Sequence, residues 1–177
     1  MSLLRYTLIM CLSLPMSVSA NEFEKFVKAS DVTMNNCQQT SISVMAFINV
    51  ADVGFFMPDC QQRPAYSGNK QLSFIYHRSI DAEDFVEAAE TLIKRNVSAD
   101  IYQQIEPDLN QFNSGYEDVD EGDRYDIRLI TDELFLLKNN KILAKSNSAL
   151  LGEMYFRIWF GEKPFKQDIK SKLLTPK

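Results

Sequence analysis

Between Thr40 and Met57 the chain is rich in Ile, Val, Phe and Met, and Ser41, Ser43 and Met45 alternate with Ile42, Val44 and Ala46. That period of two is a strand signature. The stretch Gln71 to Arg78 alternates again, with Leu72, Phe74, Tyr76 and Arg78 on one face and Ser73, Ile75 and His77 on the other. Pro58, Pro64, Ser67 and Gly68 mark the loop between them. The period then lengthens. Asp81 reads as an N-cap, Glu83 and Asp84 fill a first turn, and Phe85, Ala88, Ala89, Leu92 and Ile93 recur at helical spacing up to Lys94 and Arg95. Ser98 caps a second helix with Ile101, Ile105, Leu109 and Phe112 on one face; Pro107 is expected to bend or break it, and Gly115 to end that region.

After an acidic turn from Tyr116 to Gly122, the alternation returns at Tyr125, Ile127 and Leu129. Leu134 to Leu137 and Ile142 to Ala144 flank Asn139-Asn140, a pair that tolerates the positive φ of a tight hairpin turn. A third helix is predicted from about Ser148, burying Leu151, Met154, Tyr155, Ile158 and Trp159 and stopping near Gly161, ahead of Pro164. A short amphipathic segment with Ile169, Leu173 and Leu174 closes the chain. Strands, two helices, more strands and more helices imply an α+β domain, an antiparallel sheet with helices packed on one face. Neither repeats nor an interdomain linker break the pattern.

The start of the chain belongs to a different class of segment. Arg5 supplies a positive region, Leu8 to Leu14 an apolar one, and Val18-Ser19-Ala20 a small-residue cleavage site, so residues 1–20 read as an export signal and residues 21–177 as the mature domain. The apolar run is too short to span a bilayer, and no run of about twenty apolar residues follows it. Cys11 lies mid-run behind Leu8-Ile9-Met10, which does not suit lipid attachment. The expected location is therefore periplasmic or secreted.

An apolar fraction of 45% suits a globular domain, and a net charge of −5 argues against a nucleic-acid partner, because phosphate binding needs a clustered positive surface. Cleavage leaves two cysteines, Cys37 and Cys60, which in an oxidising compartment are expected to form one disulfide. Their midpoint falls between Ile48 and Asn49, so a hairpin turning there would bring them face to face at its open end. Two Cys and the lone His77 fall short of a zinc ligand set, and no metal or other cofactor is expected. Asn96-Val97-Ser98 has the form of a glycosylation acceptor, relevant only in a eukaryotic secretory pathway. Asp118, Asp120, Glu121 and Asp123 miss the spacing of a calcium loop and are read as a solvated turn.

Four stretches in this order carry a family resemblance: Asn49-Val50-Ala51-Asp52-Val53-Gly54-Phe55-Phe56-Met57, Leu72 to Arg78, Gly122-Asp123, and Ile158-Trp159-Phe160-Gly161-Glu162-Lys163-Pro164 ahead of Leu173-Leu174. Together they resemble the chalcone isomerase-like superfamily, and in particular its bacterial branch of secreted proteins. The resemblance implies an open-faced β-sandwich, a large antiparallel sheet covered by helices. It also implies either intramolecular ring closure or fatty-acid binding in a cleft between sheet and helices. The family enzymes hold a phenolate with an Arg that falls here at Gln38 or Gln39; their Tyr and Asn fall near Ala82 and Ala89, and a hydroxyl residue near Ile158. Without those donors an oxyanion has no stabilisation.

The expectation is thus a non-catalytic domain that binds a fatty acid or other small amphiphile. The alternatives are an isomerase or intramolecular lyase of unknown substrate, or a domain acting on an envelope protein. Tyr76 and Arg78 are the candidate ligand-binding residues, about 7 Å apart on one strand face, with Arg78 replacing the missing cation. No catalytic residue is assigned, and His77, on the other face, is read as structural.

Overall fold

The structure, a computed structural model, describes residues 23–44, 48–61 and 68–175, so the export signal and its cleavage point lie outside the described residues. Seven strands form one antiparallel sheet whose order repeats that of the chain: β1 (Phe26–Ala29), β2 (Val32–Val44), β3 (Ile48–Met57), β4 (Lys70–Tyr76), β5 (Arg124–Ile130), β6 (Glu133–Lys138) and β7 (Lys141–Ser146). Two helices, α1 (Ala82–Lys94) and α2 (Ala99–Asn113), fill the connection between β4 and β5, and α3 (Ala149–Tyr155), α4 (Arg157–Phe160) and α5 (Gln167–Leu174) follow β7. The main core lies between the helices and the sheet face that carries Val53, Phe55, Leu72, Phe74, Tyr125, Ile127 and Leu136. That is the architecture expected from the hydrophobic pattern.

The local chemistry explains most of the boundaries. Ser98 accepts a hydrogen bond from the Ile101 N–H and Ser148 one from the Leu151 N–H, so both cap as their sequence positions indicate. Asp81 stands at the N-cap of α1 without a side-chain cap bond; Asp118 Oδ1 instead accepts from the Ala82 N–H at 2.8 Å. The acidic turn therefore braces the fold. Asp120 Oδ1 accepts from the Ser79 hydroxyl, and Asp123 receives the Asn139 amide and the Asp120 N–H. Asn139 and Asn140 adopt φ of 49° and 68°, as the hairpin requires, and Thr131-Asp132 make a second positive-φ turn that no Asn or Gly announced.

Several expectations are corrected. The helix over Pro107 runs unbroken: the exposed proline gives up one backbone bond on the solvent side while Ile105, Leu109 and Phe112 hold the buried side. The third helix divides at Phe156, a fully buried residue where a 3.2 Å bond from the Trp159 N–H to the Phe156 carbonyl tightens the turn. Strand β1, a short edge strand, has no counterpart among the elements expected from the sequence.

Strand β4 ends at Tyr76, before Arg78. The β2–β3 hairpin pairs Val44 with Ile48, so the strands part before Ile48 rather than between Ile48 and Asn49. Two register shifts, between Asn36 and Gln38 and between Ile42 and Ser43, offset the strands, and the first sets Cys37 in a bulge.

Cys37 and Cys60 are joined, with Cα atoms 5.2 Å apart. Cys60 lies in the turn after β3, so the bridge ties the bulge to that turn instead of linking two facing strands. Closing a loop with a sequence separation of 23 is worth about 3 kcal/mol in the chain-entropy account. The Cys37→Ser/Cys60→Ser double variant is accordingly expected to melt roughly 6–12 °C below the parent. A melting point unchanged within roughly 2 °C would show that the bridge constrains nothing.

The sheet's second face is also covered in part. Phe23 lies against Gly54, where an added Cβ would come 2.9 Å from Phe23 Cγ, and a small cluster forms with Met34, Phe56 and Ile130. Beside it Gln71, Ser73 and Asp126 are buried, Asp126 completely. Asp126 Oδ1 accepts from Arg124 Nε at 2.8 Å and Gln71 Nε2 at 3.1 Å, while Arg124 also reaches Ser73 Oγ and both oxygens of Glu24.

Candidate functional site

A cavity of about 230 Å³ opens between α1 and the helix-covered face of the sheet. Its floor comes from alternate, inward-pointing positions of the strands: Ile42, Ala51, Phe74, Tyr76, Tyr125 and Ile127. Phe85, Ala88, Ala89 and Leu92 of α1 and Ile158 and Trp159 of α4 close it from the other side, with Ile80, Tyr116 and Phe165 from the connections. Asp84 is the one charged residue among the described residues that line it.

The C-terminal segment that carries Trp159 is locked in place. Asn96 Nδ2 donates to the carbonyls of Leu92 and Lys163, at 2.8 and 2.7 Å, and Asn96 Oδ1 accepts from the Lys163 N–H at 2.8 Å. A Cβ at Gly161 would lie 2.3 Å from Asn96 Oδ1 and 2.5 Å from the Arg157 carbonyl oxygen, so the segment can approach α1 only as glycine. Arg95 adds a 2.8 Å bond to the Lys163 carbonyl and another bond to Pro164. This clamp seats Trp159 against Phe74, ring centroids 5.5 Å apart, and brings Phe165 to the cavity mouth.

Besides Asp84 and the Trp159 indole, the polar groups of the cavity lining are phenols. Tyr125, Tyr76 and Tyr116 pack with Phe85 as an aromatic cluster whose centroids lie 5.3–5.9 Å apart. The Tyr116 and Tyr155 hydroxyls share a 2.8 Å hydrogen bond, and Tyr155 donates to Asn113 Oδ1. The Tyr125 hydroxyl accepts the Glu117 N–H and donates to the Glu117 carbonyl. Among the described residues the Tyr76 hydroxyl has no such partner. Burial pushes the Tyr125 phenol up to about 12 and raises Tyr76, Tyr116 and Tyr155 as well. The ring edge of Tyr116 is partly exposed, but its hydroxyl points inward to the fully buried Tyr155. At neutral pH all four phenols keep their protons: they can donate hydrogen bonds, and they are poor general bases.

Of the two residues singled out by sequence, Tyr76 stands in the cavity wall, whereas Arg78 is exposed two residues beyond the end of β4 and does not line the cavity. His77 turns to the opposite face, where Nε2 meets Asp52 Oδ2 at 2.9 Å. Burial pushes the Asp52 carboxyl up, but hydrogen bonds from Ser41, His77 and Asn49 outweigh it and hold the group below its ordinary value. The positions where the resemblance places catalytic side chains contribute little polar chemistry. Gln38 Nε2 donates to the Thr175 carbonyl, and Ala89 and Ile158 present only hydrocarbon to the cavity. Phe85, Tyr116, Tyr125 and Trp159 belong to the site but carry no mark in sequence that separates them from core residues. Only their position on the face shared with Tyr76 would have pointed to them.

The fold resembles that of a crystallised fatty-acid binding protein from Arabidopsis thaliana, with a TM-score of 0.58 at 13% sequence identity, over 86% of this chain and 90% of that one. Among curated proteins none matches the sequence. The family model described as chalcone isomerase-like matches residues 54–175, which takes in β4 to β7, all five helices and nearly every residue lining the cavity; the chain belongs to the chalcone isomerase-like family.

Proposed function

We propose that this is an exported, non-catalytic binding domain that takes up a small amphiphile of fatty-acyl type in the cavity between α1 and the sheet. The observation that carries the reading is the cavity itself, an almost wholly apolar space with a Tyr76 hydroxyl that has no hydrogen-bond partner among the described residues. Sites of this composition gain affinity from apolar burial and fix orientation with a few polar atoms. At roughly 30 Å³ per heavy atom the space holds about eight atoms. A longer tail would leave past Phe165 into the open groove along Thr91 and Arg95. The fatty-acid binding named for the Arabidopsis protein agrees with this class of ligand. Export is supported by the signal-like first twenty residues and by the Cys37–Cys60 bridge.

Native mass spectrometry of protein purified from the exported fraction tests the reading. A lipid-sized adduct should accompany the parent chain and drop about tenfold in abundance in Ala88→Phe, which fills the mouth without touching the buried core. A bare mass for the parent chain counts against the function.

A further inference from the structure

The cavity that Proposed function assigns to an amphiphile is built against an ionised head group, and we infer that it selects uncharged ligands, alcohols or esters of medium chain length, over the corresponding carboxylates. The inference rests on that binding reading and adds the head-group class to it.

A carboxylate buried in hydrocarbon needs a cation or several donors; left with neither, it is excluded or neutralised. Inside this cavity the one phenol left free to donate among the described residues is Tyr76, because Tyr116, Tyr125 and Tyr155 spend theirs on Tyr155, Glu117 and Asn113; the remaining donor of the lining, the Trp159 indole N–H, is neutral as well. One neutral donor satisfies one lone pair of an alcohol or an ester carbonyl, whereas a carboxylate brings about four acceptor sites and a full charge. The opposite orientation, head outward, is no better for an anion. Asp84 sits at the mouth, and Glu87 follows it on the groove outside. The cation of that groove, Arg95, is already donating to the carbonyls of Lys163 and Pro164. Nearby, Lys166 is engaged by the Ser43 carbonyl. The inward orientation therefore penalises the carboxylate, the outward one sets it beside Asp84 and Glu87 with no cation held for it, and a neutral head finds its partner at Tyr76.

Trp159, the chain's single tryptophan, lines the cavity and reports occupancy through its emission. Titrating the full mature chain at pH 8 with octanol, methyl octanoate and octanoate should give affinities at least tenfold tighter for the two neutral probes than for octanoate. Tyr76→Phe should weaken octanol roughly twofold to tenfold, the range of one hydrogen bond, while chlorooctane, which offers no comparable acceptor, binds as before. Octanoate binding as tightly as octanol would overturn the selectivity and leave the binding function standing. Octanol affinity unchanged in Tyr76→Phe would overturn the anchoring role. If none of the probes shifts the emission, the binding function falls, and this inference with it.

Discussion

Above pH 10 the domain is expected to lose stability steeply, because Tyr76, Tyr116, Tyr125 and Tyr155 stay protonated in the fold while their unfolded counterparts ionise near pH 10. The folded values are raised, so the stabilisation is complete below pH 10 and drains away as pH rises through the interval up to each folded value, about 12 for Tyr125. Each such phenol removes about 1.4 kcal/mol per pH unit, and four together approach about 5 kcal/mol per unit. Against a total stability of about 5–15 kcal/mol, that unfolds the domain within roughly one to three units. Lys70 acts with the opposite sign below that window. Burial pushes its ammonium down to about 8, so the penalty for holding it charged is relieved as pH climbs from about 8 towards its unfolded value. Urea midpoints should thus hold or rise slightly from pH 8 to 10 and collapse beyond it, in step with tyrosinate absorbance. Equal midpoints at pH 9 and pH 11.5 would show that these hydroxyls are not buried.

The second large effect is expected on the sheet's other face. Asp126→Ala should destabilise the fold by about 3–5 kcal/mol, the range for breaking one partner out of a buried pair, since it takes the buried carboxylate from the Arg124 guanidinium and leaves the Gln71 amide only Ser73 to donate to. Glu24 still holds Arg124 from outside, which places the effect near the lower end of that range. Replacing both members, Arg124→Met with Asp126→Leu, should recover most of the loss, because both buried charges go together and the one left without a partner, Glu24, is exposed. Asp126 Oδ2 is buried without a partner among the described residues, so the native network is itself not optimal. Equilibrium unfolding in urea of the three proteins decides the matter. A single variant within roughly 1 kcal/mol of the parent would contradict the arrangement.

This second face also shows where sequence reasoning stops. Alternation identified the end of β2, β4 and β5, since period two is a property of the backbone, and apolar richness marked β3. The same alternation marks Gln71, Ser73 and Asp126 as outward, and outward polar positions read as solvated; only the tertiary return of Phe23 and Glu24 across the sheet buries them. Asn139-Asn140 declared its turn because Asn tolerates positive φ, while Thr131-Asp132 adopts the same geometry starting from a β-branched residue, a type that seldom does. Strand β1 and the break at Phe156 depend on what packs beside them, and neither has a local signal strong enough to compete.

The site was legible to a similar depth. Tyr76 could be placed on the helix-facing side from its spacing to Leu72 and Phe74. Arg78 was placed with it by extending the strand two residues too far, where Gly122 N–H and Asp123 carbonyl close onto Tyr76 and the chain turns away.

Because the strand order in the sheet repeats the order in the chain, assembly of this domain can proceed as a zipper. Every interstrand pairing joins neighbours, and the one long gap, between Tyr76 and Arg124, is spanned by two helices that form from local contacts. The Cys37–Cys60 loop runs from within β2, through β3, to the turn that follows it. A chain delivered with its N-terminus first can therefore oxidise as soon as residue 60 is exposed, before β4 exists, and no third cysteine follows to offer a wrong partner. The β2–β3 hairpin is then cross-linked early and presents a fixed edge for β4, from which the later strands can add in turn.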